Sequence, residues 1–175
     1  PTVLFDNCSN VIDFFQTFCN CSGLTGNIPT SLFDKCPNVT SFASTFYGCS
    51  GLTGNIPIGL FDNCQNVINF SQTFSNCSGL IGIPESLFNK CPNVISFAST
   101  FYGCSGLTGN IPTKLFDKCP NVTSFINAFY RCSSLTGNAI PLWNTHSSAI
   151  GRNCYYGCSK LTGYNDNAII PATWK

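Results

Sequence analysis

The fold is decided by a stretch that reads NVTSFASTFYGCSGLT at residues 38–53. Close copies of this stretch recur along the 175 residues, and a Leu-Phe pair precedes each copy. The pairs begin at residues 4, 32, 60, 87 and 115, and Leu142-Trp143 takes the sixth place. The intervals are 28, 28, 27, 28 and 27 residues, a period that is typical of repeat proteins.

Fifteen of the sixteen phenylalanines fall into three columns that follow this period. The columns contain Phe5, Phe33, Phe61, Phe88 and Phe116; Phe14, Phe42, Phe70, Phe97 and Phe125; and Phe18, Phe46, Phe74, Phe101 and Phe129. One coil of this length cannot bury its own apolar face, but stacked coils bury it for one another. Burial contributes roughly 1.5–3 kcal/mol for each large apolar side chain, so a continuous core is expected. The core ladders are predicted to include Phe33, Phe42, Phe46, Phe61, Phe70 and Phe74.

The sequence therefore predicts a repeat solenoid of the leucine-rich-repeat type, with about six coils of 27–28 residues. Residues 39–42 are β-branched and aromatic, which predicts a short parallel strand in each coil. Residues 31–35 follow a proline and predict a short helical turn. The run LTGNIP at residues 52–57 predicts a tight bend, because glycine turns easily and proline blocks a strand.

Two regions are expected along the chain. Residues 1–141 form five regular repeats, and residues 142–175 form a degenerate sixth, in which His146 replaces a column cysteine and Arg152 takes the expected place of a phenylalanine. Degenerate terminal repeats commonly cap solenoids. The first residues, PTVL, match PTSL at residues 29–32, so we expect an uncapped first coil that something else covers.

Charge is sparse and balanced. Charged residues make up 9% of the chain and the net charge is +1. No basic run is present to follow a phosphate backbone, so nucleic acid is not expected as a partner. No apolar run approaches the ~18–20 residues needed to cross a bilayer, so membrane insertion is not expected either.

The thirteen cysteines fall mainly into two further columns. These contain Cys8, Cys36, Cys64, Cys91 and Cys119, and then Cys21, Cys49, Cys77, Cys104, Cys132 and Cys158. The favoured interpretation is two ladders of buried thiols that pack as small apolar groups, among them Cys36, Cys49, Cys64 and Cys77. Disulfides within or between coils remain an alternative, and metal binding is a weaker one because no Cys-x-x-Cys pair occurs.

Catalysis and metal binding find little support in the remaining residues. His146, the only histidine, would form a Cys–His nucleophile with Cys154, but no third orienting group is recognisable, and no catalytic residue is assigned. A column of carboxylates suits either Ca²⁺ or the capping of turns, and comprises Asp6, Asp34, Asp62 and Asp117. Turn capping is the commoner role, so no metal and no cofactor are assigned.

Four tyrosines form an interrupted column outside the phenylalanines: Tyr47, Tyr102, Tyr130 and Tyr156. Amphipathic tyrosine with neighbouring Asn, Ser and Gly is the chemistry of surfaces that bind proteins or sugars. The alternative is that each phenol stem only packs on the next coil. These four residues are the candidate recognition surface.

The repeat resembles the BspA-like leucine-rich repeats of bacterial surface proteins. The matching features of residues 38–53 are Asn-Val-Thr, an apolar residue followed by Phe, Gly-Cys, and Leu-Thr. The resemblance covers nearly the whole chain, although Phe stands where that family often has Met and the coil is longer. It implies a cell-surface or secreted location and a role in adhesion. Similar modules occur in bacteriophage virion and fibre proteins.

These observations predict a non-catalytic extracellular module that presents a repetitive solenoid face to a protein or glycan partner. The alternative is an assembly subunit of a fibre or virion, in which open solenoid ends stack on other chains, the uncapped first coil allowing self-association. An enzyme is not predicted, because charged residues and histidine are too sparse.

Overall fold

Successive segments of the chain stack in register. The computed structural model describes residues 4–163 and 170–175. Parallel bridges join each segment to the next at the same repeat position, through Asp13, Ser41, Asn69, Ser96, Ser124 and Ile150. The chain is therefore a solenoid in which each coil contacts its neighbours along one axis.

The strands lie near the end of each repeat and are short. In chain order they are β1 (Gly54–Asn55), β2 (Leu80–Gly82), β3 (Gly109–Asn110), β4 (Leu135–Asn138) and β5 (Leu161–Thr162). Strand β1 pairs with β2, and β3, β4 and β5 form a second sheet in that order, with every pairing parallel. The helical elements of the described residues are α1 (Leu142–Thr145) and a 3₁₀ turn (Ala172–Trp174).

The two sheets are separated where the third repeat is one residue short. Residues 80–84 read LIGIP and lack the asparagine of LTGNIP at residues 52–57. The register between β1 and β2 is irregular at this point. The side chain of Asn55 fills the space beside Gly82, whereas the corresponding position on Gly109 has nothing within 4 Å. The missing asparagine therefore leaves a gap in this edge of the solenoid.

Two local predictions are wrong. Residues 39–42 contribute an isolated bridge at Ser41, and the strands lie instead in segments equivalent to residues 52–57, which were expected to bend. Residues 31–35 form turns closed by bonds between residues three apart rather than a helix, whereas their copy in the sixth repeat forms the helical turn α1. For example, the Cys36 N–H donates to the Phe33 carbonyl at 3.0 Å.

The segment after Ser41 does not continue as a strand, because its backbone hydrogen bonds alternate between two kinds of partner in residues 42–49. The N–H groups of Phe42, Ser44, Phe46 and Gly48 donate to the following coil at 2.8–3.0 Å. The N–H groups of Thr45, Tyr47 and Cys49 donate to the carbonyl three residues back within the same coil, at 3.0–3.1 Å. Ser44 and Gly48 have φ of 56° and 71°, which the third residue of a type II turn requires. Turn and ladder alternate residue by residue, so neither a strand nor a helix period describes the segment.

Phenylalanine rings fill the core in three continuous stacks. Phe33 and Phe61 lie 6.0 Å apart between ring centroids, Phe42 and Phe70 lie 5.7 Å apart, and Phe46 and Phe74 lie 5.6 Å apart. Within each pair the rings are within 12° of parallel. All six side chains are at most 2% exposed. Stacking at these distances adds to the free energy of burial, so each coil depends on its neighbours.

Large and small residues alternate in a surface column that contains Asn20, Gly48, Asn76 and Gly103. The side-chain oxygen of Asn20 lies so close to Gly48 that it would overlap a Cβ there, and Asn76 has the same relation to Gly103. Each of these residues has positive φ. Odd and even coils are therefore complementary rather than identical.

The last coil departs from the others in its core. Gly151 takes the position of Phe125, because the Phe125 N–H donates at 2.8 Å to the carbonyl of the residue before Gly151. The expectation that Arg152 takes this position is therefore wrong by one residue. The ring of Trp174 lies against Gly151, and its centroid is 5.8 Å from that of Phe125 and 5.9 Å from that of Trp143. Trp174 is 1% exposed and covers this end of the solenoid.

Candidate recognition surface

Three of the four candidate tyrosines form one stack, which we call the tyrosine ladder: Tyr102, Tyr130 and Tyr156. The ring centroids of Tyr102 and Tyr130 are 4.8 Å apart and the rings are 1° from parallel. Tyr130 and Tyr156 are 5.1 Å apart at 19°. Coil-to-coil backbone bonds fix this spacing, because the residues that follow Tyr102 and Tyr130 each donate an N–H to the tyrosine carbonyl of the next coil at 2.7 Å.

Tyr47 lies outside this stack. The intervening coil has Ser75 at the same repeat position, and that side chain is 1% exposed. Tyr47 is half-buried and has no aromatic ring stacked on it among the described residues. The column is thus a ladder over the last three coils and a single tyrosine in the second.

The ladder presents ring edges and free hydroxyl groups. None of the four phenols has a hydrogen-bond partner in residues 4–163 and 170–175. Tyr102 and Tyr130 are half-buried and Tyr156 is 54% exposed. The guanidinium carbon of Arg131 lies 5.4 Å from the Tyr130 ring centroid, a cation–π distance. Arg131 is exposed and has no ion-pair partner in the described part of the chain.

Charge is divided unequally along the solenoid, a feature that the balanced total conceals. Residues 1–86 contain five acidic and one basic side chain, a net charge of −4. Residues 87–163 contain six basic and one acidic side chain, a net charge of +5. The whole-chain total hides this polarity and the charge of Arg131, whereas the charges of each repeat, counted separately, reveal both. The tyrosine ladder lies in the positive half.

The thiols of the second cysteine column bond to the backbone of the preceding coil. The Cys49 Sγ donates to the Phe18 carbonyl at 3.0 Å, and Cys77 donates to the Phe46 carbonyl at the same distance. Cys104, Cys132 and Cys158 make the equivalent bond at 2.9 Å. All thirteen cysteines are free thiols.

Burial keeps most of the core thiols protonated, and Cys158 is the exception, because its hydrogen bond with Cys132 lowers its pKa. Desolvation raises the pKa of Cys49 to about 11 and the pKa of Cys64, Cys104 and Cys119 to about 12. A thiol rather than a thiolate can donate a hydrogen bond, and only the thiolate is a strong nucleophile. The buried cysteines with a raised pKa therefore act as structural donors and are unsuited to covalent catalysis.

His146 and Cys154 do not form a catalytic pair. The His146 Nε2–H donates to the Cys119 carbonyl at 3.2 Å, and Nδ1 lies 3.0 Å from the Thr145 hydroxyl, so both ring nitrogens have other partners. Cys154 is fully buried, and desolvation raises its pKa far above the usual range. His146 instead continues the first cysteine column, and its ring meets Phe125 edge-on at 5.1 Å.

The carboxylate column does not gather ligands for a metal ion. Asp34, Asp62 and Asp117 are exposed, with a spacing of one coil between the first two and of two coils between the last two. In the described ranges, no group of three or more His, Cys, Asp or Glu side chains is close enough to hold a metal.

The first coil exposes apolar surface that later coils bury. Leu4 is 46% exposed and Leu24 is 39% exposed, while the equivalent Leu32 and Leu52 are each 5% exposed. An apolar cavity of about 170 Å³ opens here, lined by residues that include both pairs of leucines and Phe18. At the opposite end of the solenoid, the equivalent Leu142 and Leu161 are 2% and 3% exposed.

The described residues contain no helix that is both long and apolar enough to span a bilayer.

A family model described as "Mycoplasma protein of unknown function, DUF285" matches the sequence twice, at residues 5–85 and 63–167. No curated protein matches the sequence significantly.

Among solved structures, the chain is similar to a leucine rich cell surface protein from Faecalibacterium prausnitzii A2-165, with 18% identity, 91% of this chain and 66% of that chain covered, and a TM-score of 0.29. It is also similar to a leucine-rich repeat protein from Bacteroides ovatus ATCC 8483, with 19% identity, 86% and 57% covered, and a TM-score of 0.24. The chain thus spans less than two thirds of either protein. Because both TM-scores are low, the solenoid assignment depends on this chain's own coil-to-coil contacts.

Proposed function

We propose that this chain, which belongs to the family described as Mycoplasma protein of unknown function, DUF285, is a non-catalytic extracellular module that binds a protein or glycan through one face of its solenoid. The observation that carries the proposal is the tyrosine ladder with Arg131 beside it. Three phenol hydroxyls and a guanidinium that have no hydrogen-bond or ion-pair partner among the described residues are polar groups that a ligand can satisfy. Tyrosine and arginine also dominate the energetics of binding surfaces.

The rigidity of the ladder supports this role. Stacked coils hold the rings at 4.8 and 5.1 Å from one another, so the rings lose little conformational entropy on binding. Flexible side chains lose more conformational entropy, and this loss weakens binding. The BspA-like leucine-rich-repeat assignment, the surface location and the adhesive role form part of the same proposal. So do the division into five regular repeats and a capping repeat, and the absence of catalysis.

Binding to arrays of glycans and of host-surface proteins tests this function. The test variant replaces Tyr102, Tyr130 and Tyr156 together by serine, the residue that the same column has at Ser75. We expect the variant to lose the array signal while its circular dichroism spectrum stays unchanged. Tyr47→Ser is the matched control and should bind as the wild type does. Retained binding by the triple variant would show that the ladder is not the site.

A second candidate is an assembly subunit, favoured by the apolar surface of the first coil. Leu4, Leu24 and the cavity of about 170 Å³ suit a further coil of the same kind, supplied by a second copy. Head-to-tail stacking of two copies is disfavoured, because Trp174 covers core residues at the C-terminal end of the solenoid. Contact between two first coils would bring together the halves that carry net charge −4.

Sedimentation velocity over a hundredfold range of concentration separates the two candidates. A species that grows with concentration, and in which Leu24→Asp prevents growth, would favour assembly. A monomer at every concentration would leave the binding module as the function.

A further inference from the structure

The ring faces and hydroxyl groups that the tyrosine ladder leaves open limit the class of partner that it can bind. Tyr102 and Tyr130 stack on one another, so one face of Tyr102 and both faces of Tyr130 are occupied within or beside the ladder. Nucleobases and the apolar faces of neutral sugars bind tyrosine by stacking on an open ring face. Stacking of this kind is blocked at Tyr130, in the middle of the ladder, because neither ring face is open. The free groups there are hydroxyls, which donate hydrogen bonds.

The coils that carry these donors also carry positive side chains. The Arg131 guanidinium carbon lies 5.4 Å from the Tyr130 ring centroid, and the last coil contains Arg152 and Lys160, both exposed. The single acidic residue between positions 87 and 163 is Asp117, which is not part of the ladder. Phenol and guanidinium donors in a positive field favour a ligand with carboxylate or sulfate groups, because hydrogen bonds to charged acceptors are the stronger ones.

The repetition of the ladder favours a polymer. Equivalent hydroxyls recur once per coil along the solenoid axis, so a ligand with a short repeat along its own axis can satisfy each in turn. Protein partners are bound mainly by side chains that enter a pocket at the centre of the interface. Within residues 4–163 and 170–175, four surface cavities lie near Leu4, Asp34 and Ile58 and have no ladder tyrosine in their lining.

We propose that the tyrosine ladder and Arg131 bind an anionic polysaccharide whose sugars carry carboxylate or sulfate groups. This inference rests on the proposed function and specifies its ligand. The acidic first half of the solenoid would repel the same polymer, so binding is confined to the C-terminal coils and the module has a polar orientation on its ligand.

Titration calorimetry with defined polymers tests the inference. Polygalacturonate supplies carboxylates, dextran sulfate supplies sulfates and dextran is the neutral counterpart. Poly-glutamate and polyuridylate represent acidic polypeptide and single-stranded RNA. We expect binding to polygalacturonate or dextran sulfate that weakens with salt, with dextran silent and the other two polyanions weaker. The preferred polysaccharide identifies carboxylate or sulfate as the recognised group.

Two substitutions each remove one donor from the ladder. Arg131→Asn introduces the residue found at Asn20 and Asn76, which have the same positive φ. Tyr130→Phe keeps the ring stack and removes only the hydroxyl. We expect each to weaken binding about tenfold, the effect of losing one hydrogen bond to a charged group. Lys90→Gln removes one positive charge outside the ladder, and it should change affinity less than about twofold.

Several outcomes would overturn the inference. An equal loss with Lys90→Gln and Arg131→Asn would mean that binding is a non-specific charge effect. Preference for poly-glutamate or polyuridylate would assign the face to a different class of partner. The protein could instead bind dextran, or a neutral glycan on the array, and no anionic polysaccharide. That result would disprove the anionic ligand and leave the proposed function intact. Absence of binding to every polymer, together with an array signal that the triple tyrosine variant retains, would disprove both the inference and the proposed function.

Discussion

Trp174 lies against Gly151, in the space that a phenylalanine ring fills in each of the five preceding coils. Gly151 has no side chain to contribute to this column, and a Cβ there would overlap the indole ring. The Gly151 N–H also donates to the Thr173 carbonyl at 3.2 Å, which holds the C-terminal turn in place. The core column is thus completed by a residue from a different part of the sequence.

Removal of this ring should destabilise the whole solenoid. Trp174→Ala is expected to lower the free energy of unfolding by about 3–5 kcal/mol, as other buried large-to-small changes do. Gly151→Phe alone should also destabilise, because both rings compete for one space. The two changes together should cost less than the sum of their separate effects, because Phe restores the column. Urea unfolding of the four proteins measures this, and purely additive losses would contradict the shared space.

Neighbouring residues on the second coil should respond in opposite ways. Phe46 is 2% exposed and lies between two stacked rings, so Phe46→Ala should cost about 3–5 kcal/mol. Tyr47 is half-buried and outside the stack, so Tyr47→Ala should change stability by less than about 1 kcal/mol. Thermal melts monitored at a common heating rate compare the two. The reverse order would mean that inside and outside are wrongly assigned.

Thiol labelling should distinguish the first coil from the rest. Cys8, Cys19 and Cys21 are at least partly exposed, whereas the other ten cysteines are buried. Iodoacetamide at pH 8 should therefore modify at most three thiols in the native protein and thirteen after denaturation. Mass spectrometry of tryptic peptides locates the labels. Rapid native modification of Cys77 or Cys104 would be inconsistent with a stacked core.

Acid should weaken the last coil through His146. Burial lowers the pKa of His146 below its usual value near 6.5, with the Cys119 carbonyl and Asp117 opposing the effect in part. The folded state therefore binds fewer protons than the unfolded state, so stability is full above the unfolded pKa and falls as pH decreases below about 6.5. Thermal melts between pH 8 and pH 5 should show this loss. His146→Cys restores the residue type of the column and should flatten the profile between pH 7 and pH 5.5, and an unchanged profile would assign the acid sensitivity to another group.

The sequence predicts those parts of the molecule that depend only on repetition. Phe46 and Phe74 can be placed in one column because residues one period apart lie over each other whatever the local backbone does. The strand at Gly54–Asn55 could not be predicted, because its pairing is made by backbone groups and its residues have low strand propensity. The position of Gly151 depends on Trp174, which lies more than twenty positions away in a segment that does not repeat.

The candidate surface likewise has features that repetition predicts and features that it does not. A column of four tyrosines is visible in the sequence, but the grouping of three of them depends on Ser75 interrupting the fourth. Arg131 stands in a column otherwise made of asparagine and glycine, so a departure from the repeat was the signal for the charged neighbour of Tyr130. Departures from an internal repeat are therefore the positions at which a chain of this kind is most informative.

The alternation of Asn20, Gly48, Asn76 and Gly103 has a consequence for how such a gene can change length. Deletion of a single coil would bring two asparagines, or two glycines, into direct contact, and would leave either a clash or a void. Unequal crossing-over that gains or loses coils in pairs keeps every contact intact. Relatives that differ in size should consequently differ by even numbers of coils, with the pair as the unit that recombination exchanges.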